Sequence, residues 1–291
     1  MAEAKFIVIT AAKDEARYLG RTIESVVSQS PLPAAWVIVD DGSVDDTAVI
    51  ARAAAKAHPW IKVVTRREGG PRDVGAGQAR AIHYGLQQIG IDDYDFLFNI
   101  DADIVLKPDY FRVILRKFAE APQLGIAGGQ LYENFRGNLS KMRVLPLGMI
   151  GAVQAWRREC FQEIGGLARG PGWDGIACFQ AMMLGWETRT FPDEELKALH
   201  LRPEGSSIKH RHVGWARHGE ALYFAGAHPL WLLASAAYHA LDYPYLLSGL
   251  CMIIGYLAAA ARGRQQYGDG EFRRFLRQWQ LHKLAGLLGL R

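Results

Sequence analysis

The sequence predicts an α/β fold, a mainly parallel sheet flanked by helices, with a helical C-terminal appendage. Three observations carry that expectation. Through the first 130 residues, apolar runs of strand length alternate with apolar residues at helical spacing. Each apolar run ends in polar, charged or glycine residues, as at the ligand edge of an open parallel sheet. Past residue 212 the pattern changes to longer apolar stretches with a basic surplus. With 291 residues, 49% hydrophobic and 22% charged, the chain has apolar material for one large domain plus an appendage, placed at 1–212 and 213–291.

The elements follow in order. Phe6–Thr10 is a strand, and Tyr18, Leu19, Ile23, Val26 and Val27 then recur on one helical face. Trp36–Val39 is a second buried strand. Ser43 is expected to cap the next helix, with Asp46 in a capping-box-like position. Ile61–Thr65 is a third strand, and a glycine-rich bend leads to a helix near Gly77–Ile89. Phe96–Ile100 is a fourth strand. Pro108 starts a helix whose Phe111, Ile114, Leu115 and Phe118 share a face. Strands alternating with helices imply right-handed βαβ units. Pro203–Ser207 is the candidate boundary to the appendage.

Composition excludes several classes. Three scattered cysteines, Cys160, Cys178 and Cys251, argue against a disulfide framework and a zinc site, and suit a reducing compartment. The opening apolar run is too short for a signal peptide, so export is not expected. No internal repeat or low-complexity segment is present.

The strand ends supply the candidate site. Asp101-Ala102-Asp103 places two carboxylates about one small residue, an arrangement that suits a hard divalent cation bridging to phosphate oxygens. It also suits a plain solvated turn, with Asp103 as a cap. Asp40-Asp41-Gly42-Ser43 can accept hydrogen bonds from a base or ribose, or can be a turn. The loop Gly69-Gly70-Pro71-Arg72 and Gly75-Ala76-Gly77-Gln78-Ala79-Arg80 can bring backbone N–H groups and two guanidinium groups to an anion. It has neither the lysine of a P-loop nor a GxGxxG pattern.

Taken together and in this order, the motifs resemble those of inverting glycosyltransferases of family 2, of the bacterial type with membrane-associated C-terminal helices. The resemblance rests on Thr10–Glu15 with its following helix, Val39-Asp40-Asp41-Gly42-Ser43-Val44-Asp45-Asp46-Thr47, Gly77-Gln78-Ala79-Arg80, Asn99–Ile104, and a helix ending at Leu184-Gly185-Trp186. It covers roughly residues 5–202. It implies the GT-A fold and transfer from a nucleotide-diphosphate sugar to a hydroxyl, on a glycan or a lipid-linked acceptor serving polysaccharide biosynthesis. Ala11, Glu15, Asp40, Asp41, Arg72, Gly77, Arg80, Asp101, Ala102 and Asp103 then hold the donor. Asp101 and Asp103 bind Mn²⁺ or Mg²⁺, with His200 as a further ligand and His210 and His212 as competitors. Eleven residues before Gly185 stands Asp174, where the family's catalytic base falls; read alone, it is a helix cap. Trp173 beside it offers a face to the acceptor sugar.

The departures are definite. The first strand end has Ala11 and Lys13 in place of the family's usual Pro and Asn. The acidic pair is reduced to Trp173-Asp174. No QxxRW motif of processive synthases is found, Gln278-Trp279 and His212–Trp215 being poor stand-ins, so transfer of a single sugar is expected. Two rivals remain. A sugar nucleotidyltransferase needs a glycine-rich basic signature after the first strand, where Ala11-Ala12-Lys13-Asp14 stands. A non-catalytic membrane scaffold has no need of Asp101, Asp103 and Asp174.

The net charge of +4 is concentrated: residues 213–291 hold eight Lys/Arg against four acids. That surplus calls for an anionic partner, and the apolar content favours a membrane surface over nucleic acid. Leu222–Leu241 and Tyr245–Ala261 are apolar, the latter 17 uncharged residues, which is marginal for a span. Phe272, Phe275, Leu276 and Trp279 form a stripe on a basic helix that suits a membrane surface. The expectation is a peripheral, monotopic or re-entrant anchor at the cytoplasmic face of the plasma or inner membrane. A helical cap on the catalytic domain and a homodimer interface are the alternatives.

Overall fold

The computed structural model describes residues 4–66, 76–135, 138–142, 151–202, 211–287 and 289. In order these form β1 (Phe6–Ala12), α1 (Ala16–Val27), β2 (Ala35–Asp40), α2 (Thr47–Ala57), β3 (Ile61–Thr65), α3 (Ala76–Gln87), β4 (Phe96–Asn99), β5 (Ile104–Leu106) and α4 (Tyr110–Glu120). There follow β6 (Leu124–Phe135), β7 (Asn138–Lys141), β8 (Gln154–Arg157), α5 (Arg158–Glu163), α6 (Trp173–Met183), β9 (Glu187–Phe191) and β10 (Lys197–His200). The C-terminal helices are α7 (Arg211–Ala225), α8 (Pro229–His239), α9 (Leu247–Ala261) and α10 (Gly270–Leu287).

The sheet runs β3-β2-β1-β4-β8-β6-β10-β5, with β7 and β9 also on β6. The first four strands are parallel. Apolar runs buried on both faces explain β1, β2 and β4, because alternate residues serve opposite cores, while β3 is the part-exposed edge strand. Phe6, Val8, Trp36 and Ile38 pack with α1, α2 and α4 on one side. Ile7, Ile9, Val37 and Val39 pack with α3, α5 and α6 on the other. Parallel pairing carries β1, β2, β3 and β4 to one common edge, and the site forms there.

Two expectations about local structure are corrected. Ser43 does not cap α2, which starts at Thr47 with no side-chain cap from Asp46. The Ser43 hydroxyl instead accepts from the Asp14 N–H (3.1 Å), while Asp14 Oδ1 accepts from the Val44 N–H (2.8 Å). Thr47 Oγ1 and Asp45 Oδ2 accept from the N–H groups of Glu15 and Ala16. The short polar segment after β2 therefore ties down the turn after β1.

The second correction concerns α10. Its apolar stripe does not face outward: Phe272 and Leu276 are buried in the same core as Ile176 and Trp173. Trp279 meets Phe179 of α6 and Trp231 of α8 edge to face. The amphipathic face of α10 is thus spent on the rest of the chain, the helical-cap alternative. No helix among the described residues is long and apolar enough to cross a membrane. The expected boundary at Pro203–Ser207 lies outside the described residues.

Candidate active site

The site is built where the strand ends meet. β4 stops at Asn99, and the chain passes through Asp101-Ala102-Asp103 into β5. The passage is held rigidly. The Asp101 N–H donates to the Ala152 carbonyl (3.0 Å), and the Thr22 hydroxyl donates to the Ala102 carbonyl (2.8 Å). Asp101 Oδ1 accepts from Gln78 Nε2 (2.5 Å) and Asn99 Nδ2 (2.9 Å). Burial, then the neighbouring Asp103 carboxylate, push Asp101 up to about 6.

Asp103 is buried and bound from β10. Its Oδ2 lies 2.5 Å from Arg202 Nε and 3.2 Å from His200 Nε2. Although burial opposes it, the bond from His200 and the charges of His200 and Arg202 hold Asp103 below the usual carboxylate range. The Arg202 guanidinium also reaches buried Glu15 Oε1 at 2.6 Å. Glu15, Asp103, His200 and Arg202 therefore form one cluster. The donor set of Asp101, Asp103 and His200 has the oxygen and imidazole chemistry of a divalent-cation site. No three His, Cys, Asp or Glu side chains among the described residues close into a metal cage. Such an open carboxylate pair suits a cation that keeps waters or shares substrate phosphates.

Asp174 lies in the first turn of α6. Its Oδ2 accepts from the Gly151 N–H at 3.1 Å. Gly151 must be glycine for this approach, because a Cβ there would stand 2.9 Å from the Trp173 ring and 3.1 Å from Asp174 Cβ. Burial raises the Asp174 carboxyl above its ordinary range, with backbone donors at Gly175 and Gly151 opposing in part. Gln154 Nε2, at 3.3 Å, donates to the Asp174 carbonyl.

One residue joins the two halves. Fully buried Asn99 donates through Nδ2 both to Asp101 Oδ1 and to the Gly151 carbonyl, the latter at 2.7 Å. The strand-end carboxylate and the helix-start carboxylate are thus held to one short piece of backbone.

The other predicted residues divide. Asp40 is buried, and its Oδ1 accepts from the Ser43 N–H (3.0 Å), shaping its own turn. Asp41 pairs with Arg66 at 2.6 Å. Ala11, next to the end of β1, and Arg80, in α3, are partly exposed; Gly77 is buried in the first turn of α3. Arg72 lies outside the described residues, as does His210. Trp173 needs correction. It is only 4% exposed, wedged between Gly151 and Trp156, so its ring presents no open face to a sugar. Asn99, Gln78, Gly151 and Arg202 escaped sequence reasoning as site residues. Only Arg202 and Asn99 carried a signal, each standing at the end of a strand.

Comparison with known proteins agrees with this geometry. The description "Glycosyl transferase family 2" matches residues 7–184, more than half of the chain. The chain belongs to glycosyl transferase family 2. Among curated relatives, the poly-beta-1,6-N-acetyl-D-glucosamine synthase of Staphylococcus epidermidis is 24% identical over 237 residues, covering 72% of this chain and 53% of that protein. The succinoglycan biosynthesis protein ExoU of Rhizobium meliloti is 29% identical over 175 residues, covering 55% and 50%. This family member thus spans about half the length of those relatives. Among solved structures, the mannosyltransferase PcManGT from Pyrobaculum calidifontis, in complex with GDP-Man and Mn²⁺, has a TM-score of 0.60 at 19% identity, covering 100% of this chain and 82% of that one. That likeness establishes the GT-A fold.

Proposed function

We propose that this family 2 member transfers one sugar, with inversion, from a nucleotide-diphosphate donor to a hydroxyl acceptor. One observation carries the reading: Asn99 ties the strand-end pair Asp101/Asp103 to the turn that holds Asp174. The division of labour follows from the chemistry. The acceptor oxygen forms a bond to the anomeric carbon as the bond from that carbon to the diphosphate oxygen breaks. The acceptor proton passes to the Asp174 carboxylate, which burial makes a stronger base than an ordinary carboxylate. The nucleoside diphosphate leaves on the opposite face.

The leaving diphosphate needs positive charge. Asp101 and Asp103, with His200, are the residues to hold Mn²⁺ or Mg²⁺, and such an ion supplies charge neutralisation at the leaving group. The similar mannosyltransferase bound GDP-Man with Mn²⁺, which supports this assignment. Arg80 and Arg72 are the candidate cations for the diphosphate. Asp41 and Ala11 line the donor's base and ribose side, Asp40 shapes the turn that presents Asp41, and Arg66 orients Asp41. Glu15 acts through Arg202.

Relatives named for polysaccharide synthesis support a glycan acceptor; the basic surplus and apolar content of residues 213–291 favour a lipid-linked one, met at the cytoplasmic face of a membrane. The unit 1–212 carries the chemistry and 213–291 the membrane side. Purified chain incubated with Mn²⁺ and a panel of nucleotide sugars tests the reaction. Release of nucleoside diphosphate is expected. Pyrophosphate released instead from a nucleoside triphosphate and a sugar 1-phosphate would assign a nucleotidyltransferase, and activity in neither assay would leave a non-catalytic scaffold.

A further inference from the structure

The hairpin of α8 and α9 leaves an apolar face uncovered. Leu247, Leu250, Ile254 and Leu257 are each 52–58% exposed and recur at the spacing of one helical face. The opposite face of α9, with Ser248, Met252 and Tyr256, is buried. The turn into the helix adds exposed Tyr245 and Leu246. Six large apolar side chains in succession exceed the scattered exposure normal for a soluble surface.

The inner side of α9 is fixed. Its backbone lies against that of α7: a Cβ on Gly255 would stand 1.8 Å from the Ala216 carbonyl, and one on Gly219 1.8 Å from that of Met252. This contact leaves α9 no freedom to roll its exposed leucines inward. α7 in turn covers the loop that leads to Asp174, where Gly170 adjoins Phe224 and Gly172 adjoins Ala221. The exposed face therefore stands one helix layer from the proposed base.

We infer that this face of α9 docks, in the plane of the interface, onto an anionic lipid surface. Charge and length select that occupant. The run 245–261 holds no charged residue, so nothing on α9 opposes entry into an acyl layer. Its 15 helical residues reach about 22 Å, short of a bilayer's roughly 30 Å core. Arg262 follows directly and is exposed, as are Arg274 and Lys283 on α10. Two acids of the region are already engaged: Glu220 with Arg264, and Asp242 with His239. Residues 213–291 have eight basic against four acidic side chains. Two copies meeting here would bring like charge together, whereas anionic headgroups complement it. The inference gives the membrane-side reading of the acceptor a physical surface, and its test does not depend on transfer chemistry.

Co-sedimentation with phosphatidylcholine vesicles, with and without about a third phosphatidylglycerol, tests it. The full chain is expected to bind the anionic vesicles, less so at high salt. Each leucine withdrawn from lipid lowers partitioning roughly tenfold or more, so L250E/I254E is expected to lose about a hundredfold. L250S/I254S serves should the charged pair disturb folding, and melting temperature reports on both. Absence of wild-type binding would overturn the inference, as would unchanged binding by both variants. So would a wild-type dimer in light scattering that the variants convert to monomer, since the face would then be covered by a second copy. Nucleoside diphosphate release measured without vesicles reports on the transferase reading separately.

Discussion

Asp174 does not cap α6, whose N-cap is Gly172, and replacing it with Asn separates a catalytic base from a residue that only fixes the turn at Gly151. Asn has the same shape and keeps an oxygen to accept from the Gly151 N–H, now 3.1 Å from Oδ2. What it loses is the capacity to take a proton. General-base catalysis contributes about 10²–10⁴-fold, which at about 1.4 kcal/mol per decade raises the barrier by about 3–5 kcal/mol. Stability is expected to move the other way. Burial raises the folded-state pKa of Asp174 above its unfolded value. The ionised form is therefore disfavoured in the fold, and the group costs stability increasingly as pH rises from the unfolded value through the folded one. A neutral Asn removes that cost, so the melting temperature at neutral pH is expected to hold or rise. The wild-type turnover should also show an acid limb above the usual carboxylate range, absent from D174N. The assay pairs nucleoside diphosphate release with calorimetric binding of nucleoside diphosphate in Mn²⁺ and a thermal melt. Turnover within about threefold of wild type would refute the base assignment. So would a drop in melting temperature with loss of nucleotide binding, the behaviour of a carboxylate that serves only to hold the turn at Gly151.

Four further outcomes are expected. Asn99→Ala withdraws two hydrogen bonds from Asp101 and the Gly151 carbonyl; unfolding free energy should fall by roughly 1–3 kcal/mol, and both Mn²⁺-dependent nucleotide affinity and turnover should drop. If Asp103→Ala binds nucleoside diphosphate equally well with and without Mn²⁺, the metal assignment fails; the expected result is loss of the Mn²⁺ enhancement. Arg202→Gln removes the guanidinium shared by buried Glu15 and Asp103, and denaturant unfolding should register a loss of about 3 kcal/mol or more. Gly151→Ala forces the start of α6 away from its turn, costing about 1–3 kcal/mol of stability and a larger share of turnover than of nucleotide affinity.

The fold was legible where physics is local. Strands buried on both faces must be nearly continuous apolar runs, so Phe6–Thr10 and Trp36–Val39 could be read from hydropathy alone. Asp101 and Asp103 were legible because a parallel sheet delivers its strand ends to one edge. Ser43 was misread because a serine before a helix has two uses, capping that helix or accepting from a neighbouring turn, and only the sheet reveals which backbone lies 3.1 Å away. Trp173 was misread for a related reason: an aromatic beside a proposed base fills the core as readily as it lines a cleft. The stripe on α10 was amphipathic as expected, but hydropathy does not say whether protein or lipid covers an apolar face.

The residues that escaped reading share one property. Asn99, Gln78 and Gly151 act on backbone or on another side chain, with no charge that would draw notice. Their role exists only because β4, α3 and the turn before β8 come together, at separations of 23 positions between Gln78 and Asp101 and 52 between Asn99 and Gly151. The Asn99 amide has two N–H donors, and the structure uses both on opposite halves of the site. A carboxylate there would repel Asp101, and an alanine would leave the Gly151 carbonyl without its donor. A site of two carboxylate functions therefore requires a neutral double donor between them. That requirement ties Asp174 to the donor side more firmly than the pair Asp101/Asp103 could alone.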